Sequence, residues 1–97
     1  MIVSFGNKLA KDLVEELKSK EARSFPAELH RSARKKLAMV HAARDIADLR
    51  VPPGNRLERL KGDFKSFYLI RINDQWRIVF KFEGGNASDV SVEDYHS

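Results

Sequence analysis

No cysteine occurs in the 97 residues. That excludes disulfides, thiolate zinc sites and thiol nucleophiles, and it suits a reducing compartment such as the cytoplasm. No apolar run approaches the roughly 18 residues that a membrane-spanning helix needs. The opening Met1-Ile2-Val3-Ser4-Phe5 lacks the charged and long apolar regions of a signal peptide. Equally missing are GxxxxGK[ST], GxGxxG, HExxH and GxSxG, so nothing points to nucleotide-phosphate loops, zincin chemistry or a nucleophile elbow. There is no internal repeat or low-complexity tract. His30 and His41 stand eleven apart, too far for a metal-binding pair on one helical turn. They read as ordinary helix histidines.

What remains is a chain of single-domain size, 1–97, with 42% hydrophobic and 33% charged residues, a globular composition. The formal charge is +4. Seven cations lie between Arg56 and Lys81 (Arg56, Arg59, Lys61, Lys65, Arg71, Arg77, Lys81) against three acids, whereas everything from Phe82 onward carries four acids and no Lys or Arg. A cationic band of this kind fits a polyanion partner, and it also fits a solvated surface.

Periodicity divides the chain at Pro52-Pro53-Gly54. Before it, Ile2, Val3 and Phe5 suggest a short strand, and Asn7 a helix cap. Leu9, Leu13, Val14 and Leu17 predict a helix over 8–20; Leu29, Ala33, Leu37 and Val40 predict a second, opened by Phe25-Pro26. Arg31, Arg34, Lys35 and Lys36 lie largely off its apolar stripe and make it basic. A further helical turn is expected at 45–49. After the break the period becomes two, with strands expected at 56–60, 66–72, 76–82 and 87–93. Ile70, Ile72, Trp76, Ile78, Phe80, Phe82, Val90 and Val92 share even parity and hence one buried face, Trp76 included. The expectation is α+β: one antiparallel-dominated sheet with two N-terminal helices on one face, in the order β-α-α-β-β-β-β.

Parity also sets register. A three-residue turn at Asn73-Asp74-Gln75 pairs Ile72 with Trp76 and Ile70 with Ile78, and places Arg71 opposite Arg77. The same rule at Gly84-Gly85-Asn86 pairs Phe80 with Val90 and Ile78 with Val92, with Glu93 opposite Arg77 and Tyr95 near Gln75. The other face thus gathers Arg71, Arg77, Gln75 and Tyr95. Facing like charges are destabilising, a feature commonest where an anion binds. The dense terminal group Asp94-Tyr95-His96 supplies titratable side chains beside them; as a metal site it has only two ligands. Cleavage of RNA by its own 2′-hydroxyl needs a base, an acid and cations on the phosphorane, and no metal.

Leu57-Glu58-Arg59-Leu60-Lys61-Gly62-Asp63, Ile70 through Ile78 with its Asn-Asp-Gln-Trp-Arg core, and Glu93-Asp94-Tyr95-His96 together resemble the HigB toxins of the RelE/ParE superfamily, also described as plasmid-maintenance killer proteins. The resemblance covers essentially the whole chain. It implies a RelE-like fold and a type II toxin–antitoxin toxin: a ribosome-dependent, metal- and cofactor-independent endoribonuclease cutting messenger RNA in the decoding site. The implied partners are a HigA-type helix-turn-helix antitoxin, the ribosome with its RNA, and messenger RNA, with no membrane. By position, Asp94, Tyr95 and His96 match the C-terminal catalytic group, and Lys61 and Arg77 the phosphate-binding cations; Gln75 falls at a codon-proximal position. Arg71, Arg56 and Arg59 are taken as further substrate-binding residues, and Arg34, Lys35 and Lys36 as the ribosome-binding surface. Many members carry histidine where this chain has Glu58, so Glu58 becomes the candidate base. Strict alternation puts His96 on the buried side, against its implied role. Two other expectations stand beside the nuclease: a non-catalytic ribosome- or RNA-binding growth inhibitor, and an antitoxin-binding scaffold.

Overall fold

In the computed structural model, which describes residues 1–64 and 66–95, helix α1 spans Lys8–Val14. Asn7 has extended backbone, and its side chain accepts from Ala10 N at 3.0 Å, covering a donor that the first helical turn leaves unpaired. The same amide donates to Val92 O at 2.9 Å, and its oxygen accepts from Val92 N at 3.3 Å. One residue therefore both starts the helix and fastens it to the sheet.

The helix is shorter than the periodicity predicts. Glu16 turns into left-handed backbone (φ 55) and Leu17 N folds back to Asp12 O. Ser19 then caps a separate helix α2, Lys20–Ser24, by accepting from Ala22 N. A serine able to satisfy a new helix N-terminus competes with continuation of the old one. Val14 and Leu17, expected in the core, are exposed as a result. Helix α3, His30–Ala42, follows a 3-10 turn at Ala27–Leu29 and buries Ala33, Leu37 and Val40. His30 Nε2 lies 3.2 Å from Phe25 O, and His41 Nδ1 accepts from Ile2 N, so both histidines bond to backbone.

Beyond α3, a 3-10 turn over Ile46–Arg50 carries a reciprocal Asp45/Asp48 capping box. Fully buried Asn55 pins the loop after it: its Nδ2 donates to Leu49 O and Val51 O, and its Oδ1 accepts from Lys36 Nζ at 2.5 Å. Asn55→Ala strands the buried Leu49 carbonyl and leaves the Lys36 ammonium without its acceptor, and an unsatisfied buried group costs about 1–3 kcal/mol. We expect a denaturant midpoint lowered to match, measurable by urea titration.

The sheet is β1 Glu58–Arg59, β2 Phe67–Arg71, β3 Trp76–Glu83 and β4 Asn86–Asp94, antiparallel throughout in that spatial order. Ile2 and Phe5 bridge in parallel to Ala87 and Val90, adding the N-terminal segment outside β4. Gly6 is required at this crossing, because a Cβ there would sit 2.7 Å from Asp89 O. The helices cover the even face, where Ile70, Ile78, Phe80, Val90 and Val92 join Leu13, Phe25 and Leu37 in one cluster. Trp76 packs against that cluster, edge-on to Phe25 at 4.8 Å. Among the described residues no helix is long and apolar enough to cross a membrane.

The second hairpin differs from expectation in an instructive way. Its turn has two residues, Gly84 and Gly85, both left-handed, with Glu83 opposite Asn86. Two-residue hairpin turns need such backbone, and glycine adopts it freely. Alone, this would shift the strand by one residue. Asp89, itself left-handed (φ 50), supplies a bulge opposite Phe80, after which Ile78 faces Val92 as parity requires.

Candidate active site

The β2–β3 turn builds one end of the open face. Asn73 Oδ1 accepts from Gln75 N at 2.9 Å and Trp76 N at 2.7 Å, a side-chain-closed turn of the kind asparagine favours. Arg71 and Arg77 are cross-strand neighbours. Their repulsion is moderated locally. Arg71 Nε and Arg77 Nη1 both donate to Asn73 O, Arg71 also pairs with Asp74, and Arg77 also donates to Trp76 O at 3.2 Å.

Tyr95 completes this end. Its N–H donates to Gln75 O at 2.6 Å, and the Arg77 guanidinium lies 5.7 Å above its ring. The ring remains 43% exposed, so it is available to a ligand. Burial pushes the Tyr95 phenol above its ordinary value; Glu93 and Glu58 push the same way, and Arg77 opposes them. Arg77 is thus outweighed, and Tyr95 is a neutral phenol: a hydrogen-bond donor and stacking surface, with no lowered acidity. The chain's two tyrosines allow a direct check. In a phenolate absorbance titration, the component lost in Tyr95→Phe should titrate above pH 10, and Glu93→Gln should bring it down. With the folded value above the unfolded one, the associated stability is present below pH 10 and lost as pH rises through the folded value.

Gln75 Nε2 donates to Asp94 Oδ2 at 3.1 Å. A carboxylate only accepts, so this contact fixes the amide's orientation and turns Oε1 away from Asp94. Glu58, opposite Leu69 on exposed β1, is a further carboxylate on this side. Lys61 is exposed just beyond β1. His96 and Lys65 lie outside the described residues. Among the described residues no three His, Asp or Glu side chains cluster for a metal.

Next to this cluster runs a groove of about 650 Å³, walled by Phe5, Leu60, Phe67 and Tyr95, floored by Val79 and Ser91, and bordered by Asp89, Glu93 and Asp94. The face expected to be wet is therefore partly dry: Leu69, Val79 and Ser91 are buried on it. Sequence reading passed over the groove, although Phe67, Leu69 and Val79 break the even-parity rule and carry its signal.

The other predicted residues lie elsewhere. Arg59 pairs opposite Tyr68 and sits over its ring on the helix-bearing side, where Arg56 also lines a separate cleft. Alternation along β1 turns Arg59 away from Glu58, so these two arginines are not with Tyr95. On α3, Arg34 donates to Leu13 O and pairs with Glu16. Lys36 holds Asn55 and has its ammonium value lowered by burial and by Lys35. Only Lys35 of the three is exposed. Two of the cations assigned to a ribosome-facing surface thus have structural partners instead.

The backbone arrangement is that of the RelE-type toxins. A solved YoeB/ParE toxin from Agrobacterium tumefaciens superposes with a TM-score of 0.55 over 99% of this chain and 98% of that one; at 17% identity the likeness concerns the fold. Sequence comparison narrows the class. The model for the HigB-like toxin, RelE-like toxin of type II toxin–antitoxin system HigB, matches residues 4–96. Toxin HigB-1 of Vibrio cholerae serotype O1 is 33% identical over 93 residues, 96% of each chain. Endoribonuclease HigB of Proteus vulgaris is 42% identical over 41 residues, 42% of this chain and 45% of that relative. The chain belongs to the HigB-like toxin family.

Proposed function

We propose that this toxin is an endoribonuclease that cuts messenger RNA in the decoding site of the ribosome and is neutralised by a HigA-type helix-turn-helix antitoxin in the cytoplasm. The observation that carries the reading is the Arg77 guanidinium held over the Tyr95 ring, with Glu58 close enough to affect the phenol. The relative named as an endoribonuclease supports it. In this mechanism Glu58 or His96 takes the 2′-hydroxyl proton. The 2′-oxygen attacks phosphorus, forming a 2′,3′-cyclic phosphate as the bond to the 5′-oxygen breaks, and a protonated group returns a proton to that oxygen. Arg77, with Lys61 and Arg71, stabilises the added charge. Tyr95 donates a hydrogen bond or stacks on a base, and Gln75, oriented by Asp94, faces the codon. Of Arg34, Lys35 and Lys36, Lys35 is the one exposed to meet ribosomal RNA. No metal or cofactor takes part.

A second reading is favoured by the carboxylates of Glu58, Glu93 and Asp94 around Tyr95, which repel phosphate: a protein that does not cut, acting as a ribosome- or RNA-binding growth inhibitor or as an antitoxin-binding scaffold. Ribosome pelleting with mapping of messenger 5′ ends separates the two. Wild type should generate new ends, His96→Ala should abolish them, and Glu58→His should increase them. Growth inhibition by His96→Ala equal to wild type, with no new ends in either, establishes the second reading instead.

A further inference from the structure

Arg50, Arg56 and Arg59 line one cleft of about 630 Å³ over Leu57 and Tyr68, and no acidic residue lines it. It lies on the helix-bearing side of β1 and β2, away from Tyr95. Three acids near in sequence are turned elsewhere. Asp45 accepts from Ala47 N, and Asp48 accepts from Arg44 N and Asp45 N, so both carboxylates serve the capping box. Glu58 faces the opposite side because it pairs with Leu69, whereas Arg59 pairs with Tyr68. Among the described residues Arg50 and Arg56 have no carboxylate partner.

The cleft is also held in shape. Buried Asn55 bonds Leu49 O, Val51 O and Lys36, fixing the loop between Arg50 and Arg56. Arg56 itself takes left-handed backbone (φ 46), a conformation that a branched-Cβ or bulky residue resists and that the fixed loop imposes. Arg59 stacks 5.8 Å over the Tyr68 ring. Guanidinium groups that lack a carboxylate partner, as at Arg50 and Arg56, are stabilised by an anion, and their planar forks match phosphate. An aromatic floor beneath one of them suits a nucleobase, which an acidic peptide does not offer.

We propose that this cleft is a second RNA site, gripping the phosphate backbone of a strand on the side of the sheet opposite Tyr95 and Arg77. It extends the proposed function without depending on cleavage. The test uses a fluorescent 2′-O-methyl oligouridylate, which has no 2′-hydroxyl and cannot be cut by 2′-oxygen attack, so failure of the nuclease reading leaves the binding result standing. The variant Arg50→Gln/Arg56→Gly/Arg59→Gln should bind at least about tenfold more weakly. Its slope of log affinity against log salt should fall by about 2, at about 0.7 per lost phosphate contact. Lys11→Gln/Lys18→Gln/Arg23→Gln, with the same loss of charge at exposed positions, should lose under about threefold. An RNA duplex assigns the source: tighter binding that is equally sensitive to the cleft variant points to helical ribosomal RNA, and preference for the single strand to message. Arginine Nε–Hε resonances of the unaltered protein provide a readout independent of variant folding, and those of Arg50, Arg56 and Arg59 should shift on titration. Equal losses in the two triple variants, shifts confined to Arg71 and Arg77, or competition by polyglutamate at matched charge would overturn the proposal, the last by making the cleft an acidic-peptide site.

Discussion

Arg77→Ala should slow RNA cleavage by about 10²–10³-fold, the usual loss when one preorganised donor to a developing oxyanion is removed. Arg71 is poorly placed to compensate. Arg71 is drawn to Asp74 and Asn73 O, and the other side chains around Tyr95 include Glu58, Glu93 and Asp94. Arg77→Lys keeps the charge and loses the fork, so it should fall between wild type and alanine. Single-turnover cleavage on programmed ribosomes measures both. The alanine variant should also raise the Tyr95 phenol further, because Arg77 is the group that lowers it. Unchanged cleavage in Arg77→Ala, with that upward shift present, removes Arg77 from the chemistry.

Phe80→Ala is the most damaging single change expected in the core. The ring is fully buried at the centre of β3, between Tyr68 and Phe82 and beneath the helices. Truncating such a phenylalanine costs about 3–5 kcal/mol, against about 5–15 kcal/mol for the whole fold of an ordinary domain. In a domain of this size that lowers the melting temperature by more than about 12 °C. The single tryptophan, Trp76, reports on unfolding by fluorescence. Phe80→Leu, which leaves a smaller void, should lose markedly less. Equal midpoints for wild type and Phe80→Ala contradict the packing described.

The legible parts of the fold were those written in parity. Even-numbered apolar residues define the helix-covered face, and the three-residue turn that keeps them together puts Arg71 opposite Arg77. The α+β layering followed from the change of period at Pro52-Pro53. Less legible were features set by competition between local signals. Ser19 capped a new helix where apolar spacing argued for continuation, and two left-handed glycines shortened a turn that parity had lengthened. Cationic residues were the least legible, because charge in a sequence carries no direction. Arg56 and Arg59 lie four or fewer positions from Lys61 or from each other yet line a different cleft, and Arg34 and Lys36 bond Leu13 O and Asn55. The neutral Tyr95 phenol was similarly hidden, since the burial that raises it, and the approach of Glu93 and Glu58, arise only from the fold.

The bulge at Asp89 gives the last hairpin one residue to spare. Lys81 faces Ser88 and Val79 faces Ser91, so two residues on one strand span three on the other. Removing Asp89 would let the ladder run unbroken from the Gly84–Gly85 turn, with Phe80 facing Val90 and Ile78 still facing Val92. A shortened hairpin therefore keeps Val90, Val92 and Tyr95 on their present faces, and what it loses is the bend of the strand at Asp89 and the Lys81–Asp89 ion pair.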